Sequence, residues 1–94
     1  MNIQIQARHL NLKSELEIFI NKKIKRLISI DDNIISTEVF LKLSRADSHD
    51  NKIVEIKINS SSDFFAKKQS NSFEESIDLA CQALRKQIIK NKNK

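Results

Sequence analysis

The spacing of apolar residues switches between a period of two and a period near 3.6 along this chain, and the order of the switches leaves few folds open. In residues 2–8, Ile3, Ile5 and Ala7 alternate with Asn2, Gln4, Gln6 and Arg8, which describes a strand. From about Ser14 to Ser29, Leu16, Ile20, Ile24 and Leu27 recur at helical spacing with Phe19 on the flank. Ser14 is placed to cap that helix, with Glu15 and Glu17 in its first turn, and Asp31-Asp32-Asn33 ends it in a turn. Residues 34–44 alternate again, Val39, Leu41 and Leu43 against Glu38, Lys42 and Ser44. Phe40 interrupts the pattern and belongs to the outer side of a sheet. Arg45 to Asn51 reads as a polar loop, 52–59 as a third strand and 64–69 as a weaker fourth. Ser72 and Glu75 then form a Ser-x-x-Glu capping box before a helix over 73–91. Its apolar stripe is Phe73, Ile77, Ala80, Cys81, Leu84 and Ile88.

The order is β-α-β-β-β-α. A strand that returns through a helix pairs parallel to the next one by a right-handed crossover, whereas the later strands suit antiparallel hairpins. Each helix has one apolar stripe, so both are expected side by side on one face of a four-stranded sheet, an α+β fold. Ninety-four residues are enough for one domain, 1–94, with 91–94 expected to fray.

Several chemistries are disfavoured by residue type. The chain has no glycine, so it has no phosphate-cradling loop of the kind that needs close backbone approach. A single cysteine, Cys81, makes no internal disulfide and, with two distant histidines, no zinc site. Cys81 lies on an apolar stripe and is read as a small core residue. His9 closes a strand and His49 sits in a polar loop, neither beside a nucleophile, so no enzyme, cofactor or small-molecule substrate is expected. The opening residues lack the basic start and apolar run of a signal peptide, and no apolar stretch approaches the roughly 20 residues of a membrane span. A cytoplasmic protein with no membrane partner is expected.

The formal net charge is +5, from 17 basic and 12 acidic residues. Residues 85–94 hold five of the basic ones (Arg85, Lys86, Lys90, Lys92, Lys94) and no acid, so the other 12 balance the 12 acids. This asymmetry suits an anionic partner, nucleic acid or a membrane surface. Cations at a helix end that complement the dipole would look the same. The first helix adds a second acid-free run, in which Lys22, Lys25 and Arg26 share a side and Lys23 lies nearer the buried edge. On the second helix Lys86 and Lys90 are one turn apart with Gln87 beside them. Side by side, the two helices can merge these stripes into one surface for a phosphate backbone. Five Phe and no Trp or Tyr leave little to stack unpaired bases on, so structured RNA is preferred over single strands.

Three segments carry a family resemblance: Met1-Asn2-Ile3-Gln4-Ile5-Gln6-Ala7-Arg8-His9-Leu10, Phe19-Ile20-Asn21-Lys22-Lys23-Ile24-Lys25-Arg26-Leu27, and Ser72-Phe73-Glu74-Glu75-Ser76-Ile77-Asp78-Leu79-Ala80 followed by Leu84-Arg85-Lys86-Gln87-Ile88-Ile89-Lys90. With them the chain resembles the ribosome hibernation-promoting factor family, also called ribosome-associated inhibitor A or sigma-54 modulation protein. The resemblance implies the same β-α-β-β-β-α domain. It implies binding to the small ribosomal subunit near the decoding centre through rRNA contacts of both helices. Such proteins overlap the paths of mRNA and tRNA and hold ribosomes idle. By position, Lys22, Lys23, Lys25 and Arg26 match the family's first basic run, and Lys86, Gln87 and Lys90 its second-helix signature. Arg85, Lys92 and Lys94 join them on charge. Ala83 stands where many members have lysine, Glu74 where an aromatic is common, and Ser70-Asn71-Ser72 replaces an acidic, glycine-containing approach. The length matches the short type, without the second domain that pairs ribosomes and without an acidic tail, and a monomer off the ribosome is expected. The expected function is reversible silencing of translation by occlusion. The alternatives are a transcription modulator that binds a sigma factor and a general binder of structured RNA.

Overall fold

The computed structural model describes residues 2–44 and 50–92. Its elements are β1 (Asn2–Ala7), α1 (Ser14–Ile28), β2 (Ser36–Leu43), β3 (Lys52–Asn59), β4 (Phe64–Ser70) and α2 (Phe73–Lys92), the order expected from the pattern. The four strands form one sheet in sequence order. β1 runs parallel to β2 with Ile5 opposite Val39. β2–β3 and β3–β4 are antiparallel, with Val39 opposite Ile56 and Ile56 opposite Ala66. Both helices cover one face, where Ile20, Ile24 and Leu27 of α1 and Ile77, Ala80, Leu84 and Ile88 of α2 meet Val39, Leu41, Val54, Ile56 and Ile58. Full burial of each such large aliphatic side chain is worth roughly 1.5–3 kcal/mol. Among the described residues no helix is long and apolar enough to cross a membrane.

Where the structure departs from the pattern, hydrogen bonding or coverage explains it. Ser14 is the first helical residue and not the cap. The cap position belongs to Lys13, which is extended (φ −72°, ψ 144°) and contributes no side-chain hydrogen bond, so Glu15 and Glu17 alone serve the helix start. Half of the capping box forms: Ser72 Oγ accepts from Glu75 N at 3.2 Å. The Ser72 N–H points instead to Ser70 Oγ at 3.4 Å. β2 starts at Ser36, although Ile35 N still donates to Asn59 O at 2.8 Å. Leu43, expected inward, closes β2 and is 47% exposed because it lies past the cover of the helices. Asn91 and Lys92, expected to fray, are helical. The expected loop Arg45 to Asn51, with His49, lies in part outside the described residues, as does Lys94.

A chain without glycine must turn from β4 into α2 by other means. Ser70 and Ser76 are buried, and their hydroxyl oxygens are 2.7 Å apart. Ser76 Oγ donates to Lys52 O at 2.8 Å, and Ser70 Oγ lies 2.8 Å from Ser72 O. With one hydrogen per hydroxyl, Ser70 serves either Ser76 or the Ser72 carbonyl, and both arrangements tie the α2 start to the first residue of β3.

Thr37 is fully buried on the helix-covered face, and its hydroxyl has no hydrogen-bond partner among the described residues. A buried, unsatisfied polar atom costs about 1–3 kcal/mol. Thr37→Val keeps the shape and removes that cost. It is expected to raise the unfolding free energy by about 1 kcal/mol, seen as a higher denaturant midpoint at unchanged slope. A lower midpoint would show that the hydroxyl is satisfied in solution.

Candidate nucleic-acid interface

α1 and α2 run in the same direction. Leu16 and Phe19 sit with Phe73 and Glu74 at one end. Lys23 pairs with Asp78 at 2.8 Å further along. Leu27 and Ile30 share a groove with Cys81 and Arg85 beyond that. Two parallel helix dipoles therefore point the same way, and each helix carries its own complement: Glu15, Glu17, Glu74 and Glu75 in the first turns, Lys25, Arg26, Lys90 and Lys92 in the last. The bland account of each helix end, charge matched to dipole, thus gathers the cations of both helices at one end of the domain.

The side chains separate into distinct roles. At 100° per residue, Lys22 and Arg26 lie one turn apart on the solvent side of α1, and Arg26 leans into the inter-helix groove. Arg85 enters the same groove from α2. The groove holds about 210 Å³, and its floor is the Lys23–Asp78 pair beside Cys81. Lys23 is half-buried, and its ammonium also lies 5.5 Å from the centre of the Phe19 ring. It is paired at the edge of the core, as its position one residue from Ile24 implies. Lys25 is exposed, a quarter turn round from the α1–α2 groove.

On α2 the expected stripe divides. Lys86 faces solvent next to Arg85. Gln87 turns to the sheet, where its Nε2 donates to Phe65 O at 3.0 Å and satisfies a carbonyl of the β4 edge. Lys90 borders the β3–β4 turn together with Ser62 and Asp63. Lys92 reaches back and donates from its ammonium to Ile30 O at 2.6 Å, satisfying a carbonyl beyond the end of α1. The surface shared by both helices therefore centres on Arg26 and Arg85, with Lys22 and Lys86 beside them. Arg85, expected in the site on charge, is four residues past Cys81 and seven past Asp78, so it shares their side of the helix. Lys22, Lys25, Arg26, Arg85, Lys86 and Lys90 have no ion-pair partner among the described residues. Unpaired exposed cations at one end of a domain are what a phosphate backbone requires. Among the described residues no three His, Cys, Asp or Glu side chains gather to hold a metal ion.

Cys81 is half-buried in the groove floor rather than wholly within the core. Burial, with the Asp78 carboxylate adding to it and Lys23 opposing it, pushes its thiol up to about 11. The thiolate fraction at pH 8 is then about a thousandth. Alkylation of Cys81 at pH 8 is expected to be roughly a hundredfold slower than that of a free thiol, and to quicken about tenfold per pH unit up to pH 10. Labelling as fast as a free thiol at pH 8 would contradict this packing of the groove floor.

Comparison with known proteins follows the same lines. The family described as "Sigma 54 modulation protein / S30EA ribosomal protein" matches residues 3–94. No curated protein matches the chain. Among solved structures it is similar to a ribosomal subunit interface protein from Coxiella burnetii, with 23% identity, a TM-score of 0.87 and full coverage of both chains. It is also similar to the Protein Y N-terminal domain from Thermus thermophilus, with 22% identity and a TM-score of 0.79 over 94% of this chain and 96% of that one. At these identities the likeness shows the fold.

Proposed function

The chain belongs to the sigma 54 modulation protein / S30EA ribosomal protein family, a ribosome-associated family, and from that premise we propose that it is a hibernation factor that binds small-subunit rRNA near the decoding centre and reversibly excludes mRNA and tRNA. The observation that carries this reading is the groove flanked by Arg26 and Arg85, in which both helices present cations without carboxylate partners at one end of the domain. Guanidinium groups grip phosphate oxygens through a planar fork, and two on facing helices can hold one backbone between them. Lys22, Lys25, Lys86 and Lys90 extend the positive field on either side, and Lys23 stays with Asp78 to hold the helices together.

The mechanism is steric and electrostatic. Each phosphate neutralised by a cation releases condensed counterions, so affinity is high at low salt and independent of base sequence. The domain is a slab of 42 × 23 × 16 Å, and seated with its helices on rRNA it raises the sheet into the space above. An RNA that must thread that space is excluded without any bond being made or broken, so inhibition reverses when the protein leaves. The place of action is the cytoplasm, where ribosomes are.

The test is sedimentation with purified small subunits. Wild type is expected to travel with the subunit at low salt and to leave it as salt rises, with a log–log slope near −1 per contacted phosphate. Arg26→Glu with Arg85→Glu is expected to abolish co-sedimentation at a salt concentration where wild type binds fully. Lys92→Ala, which removes a cation already bonded to the Ile30 carbonyl, is expected to cost far less. Equal binding by the Arg26/Arg85 double variant and wild type would refute this placement. Retention on a sigma factor and none on ribosomes would favour transcription modulation.

A further inference from the structure

The sheet has a second face, turned away from both helices, and it is not uniformly polar. Strand alternation puts Gln6, Phe40, Glu55 and Lys67 in one row across that face and Glu38, Lys57 and Phe65 in the next. Phe65 is 51% exposed and Phe40 half-buried, so two of the five phenylalanines lie where the core cannot use them. The pattern of β2 already places Phe40 outward; Phe65 gives no such sign, because it follows another phenylalanine.

At the β1–β2 end of this face two hollows adjoin. The larger, about 380 Å³, is lined by Gln6, Arg8, Phe40, Lys42 and Glu55 among others. The smaller, about 220 Å³, is lined by Arg8, His9, Lys42 and Leu43. Arg8 and Lys42 wall both. The Arg8 backbone is held in register by its N–H to Leu41 O at 3.0 Å. The next residue, His9, has φ 59°, the only described residue in the left-handed region. A non-glycine residue held there costs on the order of 1 kcal/mol or more and persists where its surroundings require it. The turn it makes leaves His9 in the lining of the smaller hollow. The carboxylate present, Glu55, is bound to Lys42 at 2.7 Å, which leaves the Arg8 guanidinium without an acid among the described residues.

We infer that this cleft binds one unpaired nucleotide of an RNA strand, with the base on the Phe40 ring and its phosphate on Arg8. Each part of a nucleotide finds a matching group. The base needs an aromatic face, which Phe40 supplies; its polar edge needs hydrogen-bonding groups, which the Gln6 amide and Glu55 carboxylate supply; and the phosphate needs a cation, which Arg8 supplies with His9 beside it. A membrane surface would need a broader cationic area than Arg8 and the paired Lys42 provide. This cleft lies on the side opposite the Arg26–Arg85 groove, so the two surfaces can hold different RNA segments at once. It would also revise the expectation that the few aromatics of the chain favour structured RNA over single strands.

The experiment uses the full chain carrying Arg26→Glu and Arg85→Glu, so that the helix surface contributes less. Binding of a labelled uridylate hexamer, which is unstructured, is read by fluorescence anisotropy. The hexamer is expected to bind. Adding Phe40→Leu, which keeps an apolar side chain but removes the π face, is expected to weaken binding about tenfold. Phe40→Tyr is expected to retain parental affinity, and Arg8→Ala to lower the salt slope by about one. Circular dichroism confirms that each variant is folded. No binding in the parental background, or equal binding by folded Phe40→Leu, would overturn the proposal. Displacement of the hexamer by free uridine monophosphate at equal concentration would also overturn it, because the ligand would then be a free nucleotide. These outcomes are independent of sedimentation with the small subunit, so either surface can fail without the other.

Discussion

α1 and α2 must run in the same direction, and most of the surface follows from that. β1, β2 and β4 point one way and β3 the other. α1 leaves β1 and α2 leaves β4, so both carry the chain back across the same face. Neighbouring parallel helices repel through their aligned dipoles unless charged side chains compensate. Here acids stand at both starts and cations at both ends. Two specific contacts hold the pair together: Lys23 to Asp78 midway, and Lys92 to the Ile30 carbonyl at the cationic end. The half-buried ion pair adds little stability, but it consumes the one acid that lines the groove. The remaining cations are left for a ligand.

The sequence and the structure agree along the middle of each strand and helix, and depart at the rim of the core, at Leu43 and Cys81. The period-two runs at Ile3, Ile5, Val39, Leu41, Val54, Ile56 and Ile58 point to one face, and the helical stripe of Ile77, Ala80, Leu84 and Ile88 covers it. Burial imposes a strict period, so one-dimensional pattern suffices. Local polar contacts are another matter. Ser14 stands where a cap is usual, yet it is the first helical residue and the cap position falls one residue earlier at Lys13, because many residue types can hold the extended backbone of a cap. Buried Ser76 and its bonds to Ser70 and Lys52 join residues 6 and 24 apart in sequence, and no local rule reports such pairings.

The candidate site shows the same division. That cations cluster on the two helices is legible from composition, but which of them face one another depends on the rotation of each helix about its axis. Gln87 belongs to the family signature by position, and the structure gives its amide to the β4 edge, where it protects a strand that is otherwise open. Arg85, outside that signature, is the residue that meets Arg26 across the groove. The aromatic cleft on the other face joins Phe40 and Glu55 of β2 and β3 with Arg8 just past the end of β1, and it is visible only once the register is known.

The central claim is that the protein and the ribosome's RNA ligands compete for one place. Labelled protein should therefore be titrated against small subunits that are empty and against subunits preloaded with mRNA and initiator tRNA. The account predicts capture of empty subunits and weak binding to preloaded ones, with bound protein released as excess mRNA and tRNA are added. Undiminished binding to preloaded subunits, with both ligands still in place, would contradict it.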